Sequence, residues 1–141
     1  MIDLSKHEVI YNHALTSAAA NYPMALDRAK QRVFVGCRKP PKMVAFDAKE
    51  GKELSAAEIP ADIDDLFFDA KRNRLYASCG EGFLAILEEK EAGHFVLVEK
   101  LPTAKLARTC FFDPETSRLY LGVPRDRTRP KPEIRVYQAQ P

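Results

Sequence analysis

One sentence of sequence occurs three times in this chain, and it constrains the fold more than any other feature. It reads ALDRAKQRVFVG, then LFFDAKRNRLYAS, then FFDPETSRLYLG. Asp27, Asp69 and Asp113 stand 42 and 44 residues apart, and Arg32, Arg74 and Arg118 each follow five residues after their Asp. A short β-rich run precedes each Asp (MAL, LFF, CFF), and another follows each Arg (VFVG, LYAS, LYLG). Two such runs joined by four turn-prone residues read as a β-hairpin. The Asp carboxylate is placed to accept N–H groups of the turn, and the Arg to reach back and pair with it. Residues that recur at this spacing read as turn architecture rather than as catalytic groups.

A third run follows in each unit: MVAFD (43–47), FLAILE (83–88) and EIRVYQ (133–138). Two units add a fourth, more polar run, KELSAAEIP (52–60) and HFVLVEKLP (94–102). No stretch holds helical periodicity over three turns. Four short strands in a period near 43 are the signature of a β-propeller blade, which buries its faces only by stacking on neighbouring blades. The expected fold is therefore all-β: a single partial β-propeller domain over 1–141, with about three four-stranded antiparallel blades at about 22–60, 63–102 and 106–138. HEVIYNHAL (7–15) reads as an outer strand that belongs to some other blade, while the third unit lacks its own fourth strand. Closed propellers typically need four to eight blades. Two completions follow. Two copies join as a homodimer with a six-bladed ring, or the chain is the C-terminal part of a longer propeller.

Composition narrows the partners. A net charge of +2 on 141 residues gives no electrostatic case for nucleic acid or membrane. No apolar run approaches the roughly 20 residues of a membrane span. The first residues lack the basic-then-apolar order of a signal peptide. Cys37, Cys79 and Cys110 have no CxxC spacing and lie in strand-like apolar runs, so they read as buried thiols rather than a disulfide framework or zinc site. Nothing in the sequence calls for a cofactor.

Beyond these patterns, YPMALDRAKQRVFVGCRKPPKMVAFDAKEGKEL resembles the YVTN-type β-propeller repeat of the bacterial proteins called YncE-like. Phe46, Asp47, Gly51 and Lys52 match its "apolar-Asp-x-x-x-Gly-Lys" element. DIDDLFFDAKRNRLYASCGEGFLAILEE and PTAKLARTCFFDPETSRLYLGVP resemble the C-terminal blades of such proteins, so the likeness runs over roughly residues 8 to 138. The resemblance implies a full-length relative of about seven blades, often exported, in a periplasmic or extracytoplasmic setting. This chain is shorter, which ranks the longer-parent completion above self-pairing. Propellers host binding, scaffolding and several enzymes, so the resemblance speaks for fold more than for function.

In a propeller the loop leading into each first strand opens on one mouth of the central channel. By the repeat offsets these positions are Tyr22-Pro23, Asp64-Asp65 and Arg108-Thr109. They differ between blades while framework positions repeat, which makes Tyr22, Asp64, Asp65, Arg108 and Thr109 the candidate ligand-binding residues. Asp62, Asp64 and Asp65 are the densest acidic cluster. They fit a hard cation such as Ca²⁺, or a solvated loop whose carboxylates cap a turn, or, for Asp64, an ion pair with Arg108. GEG (80–82) precedes a strand instead of a helix and reads as a hairpin turn. His7, His13 and His94 are scattered, and RDRTRPKP (125–132) reads as a solvated basic loop. The leading function is a non-enzymatic module that binds a protein or small-molecule ligand at the channel-mouth loops. The alternative is a lactonase- or dehydrogenase-like propeller enzyme with a divalent metal in the channel.

Overall fold

Each of the three Asp–Arg sentences closes a hairpin in the computed structural model, which describes residues 2, 3, 5, 8–10 and 12–141. Two short strands, β1 (Ile2–Asp3) and β2 (Glu8–Val9), pair with each other. Blade 1 comprises β3 (Ala19–Asp27), β4 (Arg32–Lys39), β5 (Pro41–Asp47) and β6 (Glu53–Glu58). Blade 2 comprises β7 (Ile63–Asp69), β8 (Arg74–Cys79), β9 (Phe83–Glu91) and β10 (His94–Pro102). Blade 3 has β11 (Thr109–Asp113), β12 (Arg118–Val123) and β13 (Glu133–Gln138), and among the described residues no fourth strand. All pairings are antiparallel meanders, no helix occurs among the described residues, and the architecture is a partial β-propeller.

The repeat is written in the backbone as well as the sequence. Asp27 pairs in register with Arg32, Asp69 with Arg74 and Asp113 with Arg118. The residue before each Arg is left-handed: Gln31 (φ 52°), Asn73 (55°) and Ser117 (57°). A single left-handed residue lets a four-residue turn match the twist of its strands. Each Asp holds its turn by accepting backbone N–H groups: Lys30 at 3.1 Å on Asp27, Lys71 at 3.0 Å on Asp69 and Glu115 at 3.0 Å on Asp113.

The expected Asp–Arg ion pair forms only in blade 1, where Arg32 Nη2 donates to Asp27 at 2.7 Å. In blade 2, Arg72 takes Asp69 at 2.9 Å and Arg74 turns to Glu88 at 2.8 Å. In blade 3, Asp113 accepts from the Thr116 hydroxyl at 2.5 Å and Arg118 is exposed. The cross-strand neighbour decides. Glu88 stands in register opposite Arg74, Gln138 opposite Arg118, and Asp47 opposite Arg32 is occupied by the N–H groups of Lys49 and Glu50.

Blades 1 and 2 bury one apolar cluster that includes Phe34, Met43 and Ala45 on one side and Leu66, Leu75, Ala77, Leu87 and Phe95 on the other. Phe95, from β10, meets Phe34 edge-on at 4.9 Å. Blades 2 and 3 bury a second, with Tyr76 and Leu84 against Cys110, Phe112, Leu119 and Leu121. A polar clasp crosses the first interface at its rim. Glu89 of blade 2 accepts from Arg32 and from Lys30 (2.6 Å) of blade 1, and from Asn73 (2.5 Å) and Gly93 N (2.6 Å). The Arg32 hydrogen bonds hold the Glu89 carboxyl far below its usual range against the opposing effect of burial.

The N-terminal segment differs from the strand expected over 7–15. Of the described residues in it, only Glu8–Val9 are in a strand, and residues 12–18 run irregularly across the open face of blade 1. Leu15 and Ala18 pack there on Val35, Cys37 and Val44, and Glu53 accepts the N–H of Thr16 at 2.7 Å. A strand forms only against a partner edge; Glu8–Val9 find one in Ile2–Asp3, and among the described residues no blade edge pairs with 12–18. His7 and Tyr11 lie outside the described residues.

Candidate functional site

The three first strands lie side by side, β3 by β7 and β7 by β11, so their leading residues converge on one mouth. The left-handed backbone recurs here too, at Ala20 (φ 55°), Asp62 (64°) and Leu106 (64°), the same point in each blade. An Asp tolerates that conformation better than most side chains. At Asp62 it brings the carboxylate to the mouth.

Four charges meet there. Arg38, at the end of β4, pairs with Asp64 and with Asp62 at 3.2 Å. Arg108 reaches the same two carboxylates from the other side, Nη1 to Asp62 at 2.6 Å and Nε to Asp64 at 2.7 Å. Two guanidiniums therefore bracket two carboxylates, drawn from blade 1, blade 2 and the approach to blade 3. The Arg38 guanidinium lies over the Tyr22 ring at 4.4 Å and also donates to the carbonyl of Ile63 at 3.0 Å. The hydrogen bond to Asp62, then the charges of Asp64 and Asp62, raise the Arg108 pKa above its ordinary value. All four side chains remain partly open to solvent, from 24% for Arg38 to 38% for Arg108.

Gly80 makes this arrangement possible. A Cβ there would fall 2.1 Å from an Asp62 carboxylate oxygen. The GEG segment is a hairpin turn between β8 and β9, and Gly80 also ties the loops together: its N–H donates to the Asp62 carbonyl and its own carbonyl accepts from Leu106 N, both at 2.8 Å.

The candidate residues thus fall into two groups. Tyr22, Asp64 and Arg108 belong to the bracketed network, joined by Asp62. Asp65 does not; its carboxylate accepts Cys110 N at 2.7 Å and fastens β7 to β11. Thr109 is exposed at the start of β11 and joins none of the network's bonds. Arg38 was missed in the sequence. Its only signal was a basic residue shortly after the VFVG strand, where the other blades have Gly80 and Pro124. No group of three His, Cys, Asp or Glu with metal-holding geometry occurs among the described residues. The acidic cluster seen in the sequence is divided between two arginines and a backbone N–H.

The remaining candidates lie elsewhere. His94 is exposed at the start of β10, the His13 ring lies over Gly51 at the edge of blade 1, and 125–132 forms the exposed loop between β12 and β13. Cys37, Cys79 and Cys110 are free and buried. Burial pushes the Cys79 and Cys110 thiols up to about 12.

No protein-family model and no curated protein matches the sequence. Solved structures do. A gluconolactonase from Xanthomonas campestris is 20% identical, with a TM-score of 0.58 over 77% of this chain and 36% of its own. The Cps50 (Swd1) β-propeller domain from Myceliophteria thermophila is 14% identical, with a TM-score of 0.64 over 86% and 41%. Kuenenia stuttgartiensis hydrazine synthase is 10% identical, with a TM-score of 0.65 over 81% and 32%. The fold is that of a β-propeller. The chain spans well under half the length of each of these chains. The three differ in kind, a gluconolactonase, a β-propeller domain and a hydrazine synthase, so the likeness speaks for the fold alone.

Proposed function

We propose that this chain is a non-enzymatic, YncE-like β-propeller binding module that takes its ligand at the channel mouth. The observation that carries the reading is the Arg38–Asp62–Asp64–Arg108 network. Both carboxylates are held by guanidiniums on both sides, which occupies the lone pairs that a general base or metal ligand would use. A surface of this kind recognises by exchanging partners. It suits a ligand that offers acceptors to the arginines and hydroxyl donors to the aspartates, with the Tyr22 ring as a flat flank. A hydroxylated carboxylate such as a sugar acid presents both.

The test is isothermal titration of the chain with gluconate, beside Arg108→Ala. Binding that is lost in Arg108→Ala, with the thermal melt retained, supports the reading. No heat at millimolar gluconate removes the proposed ligand class. The enzymatic alternative has its own arm. Stabilisation by Ca²⁺, Mg²⁺ or Mn²⁺, or hydrolysis of gluconolactone, abolished in Asp64→Ala with the thermal melt retained, replaces the binding reading with a lactonase-like one.

A further inference from the structure

Blade 3 carries a vacant seat whose shape is known from blade 2. In the first interface Phe95 of the fourth strand is 1% exposed, in one cluster with Phe34 and Ala45 of blade 1 and Leu75 and Leu87 of its own blade. Arg32 covers its ring at 5.3 Å. The repeat maps each neighbour onto the second interface. Arg32 becomes Arg74 and Phe34 becomes Tyr76; through the strand register, Ala45 becomes Ile86, Leu75 becomes Leu119 and Leu87 becomes Tyr137. These five residues line a cavity of about 250 Å³ between blades 2 and 3. The cavity is the counterpart of the Phe95 site, and among the described residues no strand pairs with the outer edge of β13 beside it.

The other end of the chain has the reverse defect. Residues 12–18 cross the front of blade 1 and lead into β3 as Ile59–Asp62 lead into β7. That is the path of an outer strand from a preceding blade. The front face behind it is open: Met24 is 67% exposed, where its counterparts Leu66 and Cys110 are 4% and 8%. The back face of blade 3 is open too, with Ile134 at 72% where Met43 and Leu84 are 0% and 3%. The chain presents an outer-strand segment ahead of its first blade, a last blade lacking one, and two unmatched faces of the kinds that mate inside it.

We propose that two copies of this chain join head to tail. The back of each blade 3 packs on the front of the other copy's blade 1, and the N-terminal segment of each copy completes the other's blade 3, its apolar side chains entering the cavity at Tyr76 and Tyr137. A front-to-back contact is heterologous, and here it closes on a two-fold axis along the channel. Six blades fall inside the range of closed propellers. The segment is apolar enough for the task, with Val9 and Ile10 58% and 52% exposed in the single chain.

Light scattering on a sizing column tests this. The chain should run at twice its 15.9 kDa mass. Ile134→Asp with Val136→Asp breaks the back face, and Met24→Asp with Leu26→Asp breaks the front. These side chains are half-exposed or nearly so in the single chain, so each double variant should keep its strand spectrum. Each alone should run at the mass of one chain. Their equimolar mixture, which restores one intact front-to-back contact, should recover a two-chain species. Tyr137→Trp adds a reporter in a chain with no tryptophan. Its emission should shift to longer wavelength when the back-face substitutions are added. A wild-type monomer or a species without defined mass overturns the proposal. So does a dimer that survives in either double variant, or a mixture that stays monomeric. Unchanged emission from the Tyr137→Trp reporter in the back-face background overturns the filling of the cavity.

Discussion

Replacing Glu89 by Ala should loosen the grip between blades 1 and 2. The Glu89 side chain is 5% exposed, as is Arg32. Its loss leaves Arg32 buried with Asp27 alone, and removes an acceptor from Asn73 and from Gly93 N. Breaking a buried ion pair by deleting one partner costs about 3–5 kcal/mol. Asp27 remains, which places Glu89→Ala near the lower end, at about 3 kcal/mol. At about 3–4 °C per kcal/mol for a domain of this size, the melt should fall by about 10 °C. Lys30→Ala is the control. Its ammonium touches the same carboxylate at 2.6 Å but is 54% exposed, and an exposed pair is worth about 0–1 kcal/mol. The folded-state pKa of Glu89 is depressed, chiefly by the Arg32 hydrogen bonds. Its contribution is therefore complete above the unfolded value of about 4.3 and is lost as pH falls below it. Melts followed by circular dichroism should show a constant gap between wild type and Glu89→Ala above about pH 5, narrowing in more acidic buffer. Equal losses in Glu89→Ala and Lys30→Ala, or a gap as wide at about pH 3 as at about pH 7, would refute the reasoning.

Three further outcomes are expected. Phe95→Ala empties a 1% exposed aromatic site and should cost about 3–5 kcal/mol by chemical denaturation; a loss below about 1 kcal/mol would show that the blade interface closes over the gap. The three thiols should resist a thiol reagent such as DTNB in mildly alkaline buffer in the native chain and all react in guanidinium, because burial holds Cys79 and Cys110 near 12; rapid native labelling of Cys79 or Cys110 would contradict their packing. Gly80→Ala should cost about 1–3 kcal/mol by overpacking and displace the Asp62 carboxylate, read as a lost Arg108 contact in a crystal structure; an unchanged network would remove the role given to Gly80.

The fold was legible because its determinants are local and repeated. Asp27, Asp69 and Asp113 each cap their own turn, and the apolar runs beside them fix strand and face. What was not legible depends on neighbours in space. Arg74 follows the same spacing as Arg32 yet pairs with Glu88, since β9 places a carboxylate opposite it where β5 places one already tied into a turn. Glu89 gave no sign of the clasp, because its partners lie 57 and 59 residues earlier in another blade. Arg38 likewise becomes a mouth residue only when blade 2 brings Asp62 and Asp64 beside it. In HEVIYNHAL the alternation suited a strand, but pattern alone cannot supply the edge a strand needs.

The mouth network unites these points, because one carboxylate pair is shared by arginines on either side. Arg38 and Arg108 do not act on Asp62 and Asp64 independently. With both present, each carboxylate has a guanidinium on two sides. Removing one arginine leaves the other to hold both carboxylates, and removing both leaves two neighbouring like charges. The second removal should therefore cost more than the first, and a double-mutant cycle of Arg38→Ala and Arg108→Ala should show coupling. The groups are 24–38% exposed and solvent screens them, so the coupling should be measurable but well short of what a buried network gives. It should shrink in about 1 M salt, where the screening length falls to about 3 Å. Additive losses, or a coupling indifferent to salt, would mean that the four charges are neighbours without being one site.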